Sequence, residues 1–166
     1  MPARPAPGKI GGMSTQSFEA LKAFFETSAA ARKATRPLAR QAEVALALGG
    51  GQAARFTMES GQARILPEAA RAPDFTLTLP DGAVRRLTAL QSEDVGEFGV
   101  EFFKLVLSGD PESKVRIHVD APTGKLLAAG YLGVLALGGM KVTWWLLKNG
   151  VKNPKAAIDR LRGGAR

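Results

Sequence analysis

Residues 126–147 read LLAAGYLGVLALGGMKVTWWLL, and Lys141 is their single charge. No other stretch of the chain is so hydrophobic, and water does not accommodate such a surface. The run must be shielded by the protein interior, meet an apolar ligand, or lie against lipid. As one helix rising ~1.5 Å per residue it is long enough for a bilayer core of about 30 Å. Gly138-Gly139 invites a break, however, Lys141 sits inside, and each fragment alone is too short to span. The basic tail that follows would also stay cytoplasmic and force the folded body across without a signal. Spanning is therefore disfavoured. A buried core helix and a ligand-facing helix both stay open, because Leu126, Leu127, Tyr131, Leu132, Val134 and Leu135 are spread round the helix axis.

The remaining composition narrows the chemistry. A chain of 166 residues supports one domain with a proper core. Cysteine is absent, which excludes disulfides, thiolate zinc sites and thiol catalysis. The single histidine, His118, excludes multi-histidine metal sites, and no metal or cofactor is expected. Net charge is +8, but unevenly placed. Residues 1–40 carry seven basic and two acidic side chains, residues 41–140 nine and twelve, and residues 141–166 seven and one. Basic ends around a mildly acidic body suggest terminal segments that touch an anionic partner. The opening MPARPAPGKIGGMS has no apolar signal run. The expected organisation is a flexible tail over 1–13, a domain over 14–148 and a basic tail over 149–166, in a cytoplasmic protein.

Along the chain, Phe18, Leu21, Phe25 and Ala29 recur at helical spacing after Ser14 and Thr15, either of which could cap the start, and Pro37 closes the region. Three alternating runs follow: Val44, Leu46 and Leu48; Phe56 and Met58; Ala63 and Ile65. Gly49-Gly50-Gly51 and Ser60-Gly61 are the turns between them. Residues 74–79 alternate strictly, with Phe75, Leu77 and Leu79 on one face. A short helix capped by Asp81 presents Val84, Leu87 and Leu90. A further helix over about 95–107 presents Phe98, Phe102, Leu105 and Val106 and stops at Ser108-Gly109-Asp110-Pro111. Residues 114–120 form the cleanest strand, with Val115, Ile117 and Val119 opposite Arg116 and His118. Asn149-Gly150 ends the apolar run, and Asn153-Pro154 opens a last short helix. This order predicts an α+β fold on an antiparallel sheet, with the helices gathered on one face.

Residues 59–90, ESGQARILPEAARAPDFTLTLPDGAVRRLTAL, resemble the sterol carrier protein type 2 family: a strand–turn–strand, a leucine-proline exit, a D-x-T-x-T strand and a capped helix. EFFKLVLSGD at 101–110 and SKVRIHVDA at 113–121 resemble the family's next helix and last strand. The resemblance covers about half of the chain and rests on the order of the elements. It implies a five-stranded, mainly antiparallel sheet whose helices enclose an apolar tunnel for fatty acyl chains, sterols or other lipids. It brings no catalytic residues. After the last strand it loosens, because 126–147 is longer and more apolar than the family's segment.

The expected ligand-lining residues are Phe98, Phe102, Phe103, Val106, Leu127, Tyr131 and Leu135. Trp144 and Trp145, followed by Lys148, Lys152 and Lys155, combine interfacial aromatics with cations and read as a docking patch for an anionic membrane. A solvated tail with its tryptophans packed on the body fits the same residues equally well. Nucleic acid is not an expected partner, since the aromatics are not interleaved with the cations and no groove-reading motif appears. His118, Ser113 and Asp120 lie too close along one strand to converge as a triad, and the triple glycine lacks the lysine of a phosphate loop. Glu93, Asp94, Glu97 and Glu101 read as a wet helix face. The expectation is a non-catalytic carrier of a hydrophobic ligand, peripheral at the inner membrane face. Two other classes compete with it: an accessory protein presenting a prenylated lipid to partner enzymes of membrane-lipid or quinone synthesis, and a membrane-anchored interaction protein.

Overall fold

The stretches with strict apolar alternation become strands. In the computed structural model, which describes residues 10–151, β1 (Glu43–Leu48) buries Val44, Leu46 and Leu48, and β2 (Ala53–Glu59) buries Ala54, Phe56 and Met58. β3 (Gln62–Leu66) adds Ala63 and Ile65 to the same face. Ser60 and Gly61 join β2 to β3 with φ of 51° and 76°, the paired left-handed residues of a tight hairpin whose twist suits its strands. β4 (Phe75–Leu79) and β5 (Arg116–Val119) complete a sheet in the order β3-β2-β1-β4-β5. It has the five strands that the sterol-carrier resemblance implies.

The sheet is mixed rather than antiparallel throughout. β1 and β4 run parallel, with Val44 opposite Phe75 and Leu48 opposite Leu79, while the other three pairings are antiparallel. The connection from β3 explains this. It leaves the outer edge and returns through residues 67–74 to start β4 beside the start of β1. Two carboxylates fasten the return. Glu43 accepts from the backbone N–H of Arg71 and Ala72 at 2.8 and 3.2 Å, and Asp74 accepts from the N–H of Glu43 at 3.1 Å.

α1 (Ile10–Thr27) begins before Ser14 and Thr15, so neither residue caps it, and it takes in residues 10–13 of the expected tail. No proline lies between Pro7 and Pro37 to halt it. Ser28 divides the expected single helix by capping α2 (Ala29–Thr35), its hydroxyl accepting from the N–H of Ala31 at 3.3 Å. At α3 (Asp81–Thr88) the cap position is Pro80, not Asp81. The Asp81 carboxylate lies in the first turn, where it accepts from the Ser17 hydroxyl of α1. α4 (Val95–Val106) is capped by Asp94, which accepts from the N–H of Gly96 at 2.7 Å.

Phe18 and Leu21 of α1, Val84 and Leu87 of α3 and Leu105 of α4 join the buried strand residues in one core, so the helices gather on one sheet face. Thr78, Arg116 and His118 project from the other face, where His118 lies 3.5 Å from Asp120.

The apolar run does not form one helix. It divides into α5 (Thr123–Ala128), α6 (Tyr131–Leu137) and α7 (Gly139–Lys148). Gly130 makes the first break at φ +90°, where a Cβ would stand 2.0 Å from the carbonyl oxygen of Pro37. Gly138 and Gly139 make the second, as expected. Among the described residues no helix is long and apolar enough to cross a membrane. The helix expected after Asn153-Pro154 lies outside the described residues.

Candidate hydrophobic-ligand site

Between the sheet and its helical cover lies a cavity of about 320 Å³, near the lower end of the range of about 300–1,000 Å³ for small-molecule sites. Its floor is the buried face of the three central strands: Val44, Leu46, Phe56, Leu77 and Leu79. Alternation along β1, β2 and β4 puts these side chains on one side of the sheet, in register across neighbouring strands. α1 contributes Leu21, Phe24 and Phe25, and α2 contributes Ala30, Ala31, Ala34 and Thr35. α4 supplies Val95, Phe98, Gly99, Phe102 and Phe103, and the end of the apolar run supplies Val134, Leu135, Gly138 and Val142. Aromatic contacts frame the space. The Phe24 ring centroid lies 5.1 Å from that of Phe98, and Phe25 meets Phe56 edge-on at 5.3 Å.

The only polar side chain in this wall is Thr35, and its hydroxyl is occupied, donating to the carbonyl of Ala31 at 2.9 Å. A wall with no charge, whose one hydroxyl spends its proton on the backbone, offers a guest chiefly hydrocarbon contact.

Of the residues expected to line such a space, Phe98, Phe102, Phe103 and Leu135 do so together. Tyr131 does not. Its hydroxyl donates to the buried carboxylate of Asp74 at 2.8 Å, and its ring meets Phe75 edge-on. A buried phenol needs a polar partner, and the Asp74 carboxylate supplies it. Burial, and then the Asp74 hydrogen bond, push the Tyr131 hydroxyl far above its ordinary ionisation range. Leu127 is 49% exposed, because α5 turns its neighbour Leu126 inward against Val119 and Ala121. Val106 packs against the main core from the far end of α4.

The sequence reading missed Phe24, the alanines of α2 and Val142. The Phe24-Phe25 doublet and the cluster of small residues at 29–34 were the available signals: large rings form a wall, and alanines leave room beside it.

α7 sits on α4 through small residues. A Cβ on Gly99 would stand 2.6 Å from Cγ2 of Val142, so the valine nests where only hydrogen fits. Lys141, the charge inside the apolar run, pairs with Asp94 and lies 3.6 Å from Glu97, which ties α7 to the start of α4. The Lys141 hydrogen bond, and then the Gly96 N–H, hold the Asp94 carboxyl below its ordinary range. Glu101 bonds Arg86, so these acidic side chains do more than wet a helix face.

The two tryptophans diverge. Trp145 turns inward and stacks on Phe103 at 6.4 Å, whereas Trp144 is 62% exposed with the Lys148 ammonium 5.6 Å from its ring centroid. Met140, Trp144 and Leu147 of α7, spaced four and three apart, are all exposed and form one apolar stripe, and Leu137 at the end of α6 is exposed as well. Lys152 and Lys155 lie outside the described residues.

No family model matches this chain, and neither does any curated protein. Among solved structures, one titled "UbiJ-SCP2 Ubiquinone synthesis protein" is similar over 80% of this chain and 94% of its own, with 17% identity and a TM-score of 0.42. A likeness of that degree adds nothing to what the chain's own residues carry.

Proposed function

We propose that this protein binds a hydrophobic molecule in the cavity between its sheet and α1, α2, α4, α6 and α7, and exchanges it at a membrane surface, without chemistry. The observation behind this reading is a ligand-sized space whose walls carry no charge and no free side-chain donor. A hydrocarbon chain entering it leaves water at a gain of about 0.8 kcal/mol per methylene before entropic costs. The same void without apolar contents would cost the fold on the order of several kcal/mol.

The exposed stripe of α7 supports the membrane step. It offers Met140, Trp144 and Leu147 beside Lys148, an apolar face edged by a cation. A non-catalytic role fits the position of His118, the chain's single histidine, which is exposed on the opposite sheet face and is not part of the cavity lining.

Titration of delipidated protein with a fluorescent fatty acid tests the binding reading, with mass spectrometry of co-purifying lipid beside it. Saturable enhancement at one chain per protein is expected. Fluorescence that stays at its value in buffer defeats the proposal.

A further inference from the structure

The cavity accepts a tail but cannot accept a head. An ionised or strongly hydrogen-bonding group placed against Phe98, Leu46 or Val134 would lose its water and gain no partner. Any amphiphile bound there must therefore leave its polar end elsewhere, and the fold provides a place next door. A second, more open cleft of about 510 Å³ is lined by Lys33, Arg36, Pro37, Glu93, Asp94, Val95 and Leu137. Val95 belongs to the walls of both spaces. α2 also serves both: Ala30, Ala31 and Ala34 face the cavity, while Lys33 and Arg36 face the cleft.

Resting on the hydrophobic-ligand reading above, we infer that this cleft holds the anionic head, a carboxylate or phosphate, of the amphiphile whose tail fills the cavity. Its lining sets two cations, Lys33 and Arg36, against two carboxylates, and the carboxylates leave the cations available to an anion. Asp94 is already occupied by the Gly96 N–H and by Lys141. Glu93 is largely solvated and only 4.0 Å from Lys33, a loose pair that an incoming anion can displace. Among the described residues the Arg36 guanidinium has no ion pair, and its planar fork suits two oxygens of a carboxylate or phosphate. Pro37 and Leu137 give the cleft an apolar collar for the first carbons below the head.

The test compares dodecyl phosphate, dodecanol and inorganic phosphate, each below any micelle threshold, by calorimetric titration of the delipidated full chain. Dodecyl phosphate is expected to bind ~10-fold more tightly than dodecanol. The K33Q/R36Q double variant should erase that preference while leaving dodecanol binding unchanged, and E93Q should raise affinity for dodecyl phosphate about two- to threefold. All three substituted side chains are exposed, so the variants are expected to retain the fold. Equal affinity of the two dodecyl ligands for the native protein overturns the inference while sparing the cavity reading. A preference that survives K33Q/R36Q does the same. Lys33- and Arg36-dependent binding of inorganic phosphate with no dodecanol binding means a free-anion site and refutes the lipid-head assignment. Absence of binding by either dodecyl ligand removes the hydrophobic-ligand reading itself, and this inference with it.

Discussion

Tyr131 donates its hydroxyl to the carboxylate of Asp74, 2.8 Å away and 57 residues earlier in the chain. Asp74 is fully buried, and it also receives the N–H of Glu43 at 3.1 Å and faces the Lys125 ammonium at 2.9 Å. One side chain thus joins the starts of β1 and β4 to α5 and α6. Tyr131→Phe leaves that carboxylate short of a donor and is expected to lower stability by about 1–3 kcal/mol in urea unfolding. Because Tyr131 lies off the cavity wall, the folded variant should bind a fatty-acid probe with unchanged affinity. A weakened probe affinity at full folding would count against the assigned wall.

The same phenol carries a pH signature. Its ionisation is pushed up in the folded protein by burial and by Asp74, whereas in the unfolded chain it titrates near its ordinary value of about 10. The folded state therefore holds this proton where the unfolded state has released it. The stability it contributes is complete below about pH 10 and declines as pH rises beyond that. Since Tyr131 is the chain's single tyrosine, absorbance near 295 nm reads it directly. No phenolate should appear in the native protein at pH 10.5, and Tyr131→Phe should flatten the alkaline decline. A native phenolate at that pH would contradict the buried pair.

Helix contact between α4 and α7 depends on a missing side chain. Gly99→Ala brings a methyl into Val142, and overpacking of this kind costs about 1–3 kcal/mol, less the helix-propensity gain of about 1 kcal/mol. Adding Val142→Ala should recover part of the loss, and the double-mutant cycle should show coupling. Purely additive effects would mean that the two residues do not meet.

Ala34 lines the cavity with little bulk. Ala34→Phe is expected to fill the space and weaken a dodecyl-chain probe at least ~10-fold, with the circular dichroism of the sheet preserved. Unchanged affinity would place the ligand somewhere else.

The paired tryptophans should separate in experiment. Trp144→Ala removes an exposed ring and should reduce sedimentation with anionic vesicles at unchanged stability. Trp145→Ala removes the stack on Phe103 and should instead lower stability, by about 1–3 kcal/mol. Equal effects of both variants on vesicle binding would exclude an α7 stripe with only Trp144 outward.

Much of this was legible from local pattern. Alternation located Val44, Leu46, Leu48, Phe56, Met58 and Ile65 on the buried face, and Ser60-Gly61 marked the hairpin. Gly138-Gly139 marked a helix break. Phe98, Phe102 and Phe103 were expected beside a cavity because the apolar run left a side that the sheet could not cover, and they do line it. Tyr131 was misread because in sequence it is a ring among leucines, and the carboxylate that claims its hydroxyl lies 57 residues earlier, just before β4. The parallel pairing of β1 with β4 was equally hidden, since alternation tells which face a residue takes but not which strand lies beside it.

By itself the chain's order of residues determined the elements, their buried faces and the exclusion of thiol, disulfide and multi-histidine chemistry. It also required that residues 126–147 find cover or an apolar partner. Tertiary structure alone decided that this run also breaks at Gly130, that Tyr131 and Trp145 turn to partners far along the chain, and that a space remains between strands and helices. Periodicity is a property of neighbours within a few residues, whereas a cavity is bounded by atoms from residues as far apart as Leu21 and Val142, and its volume is what their packing leaves unfilled.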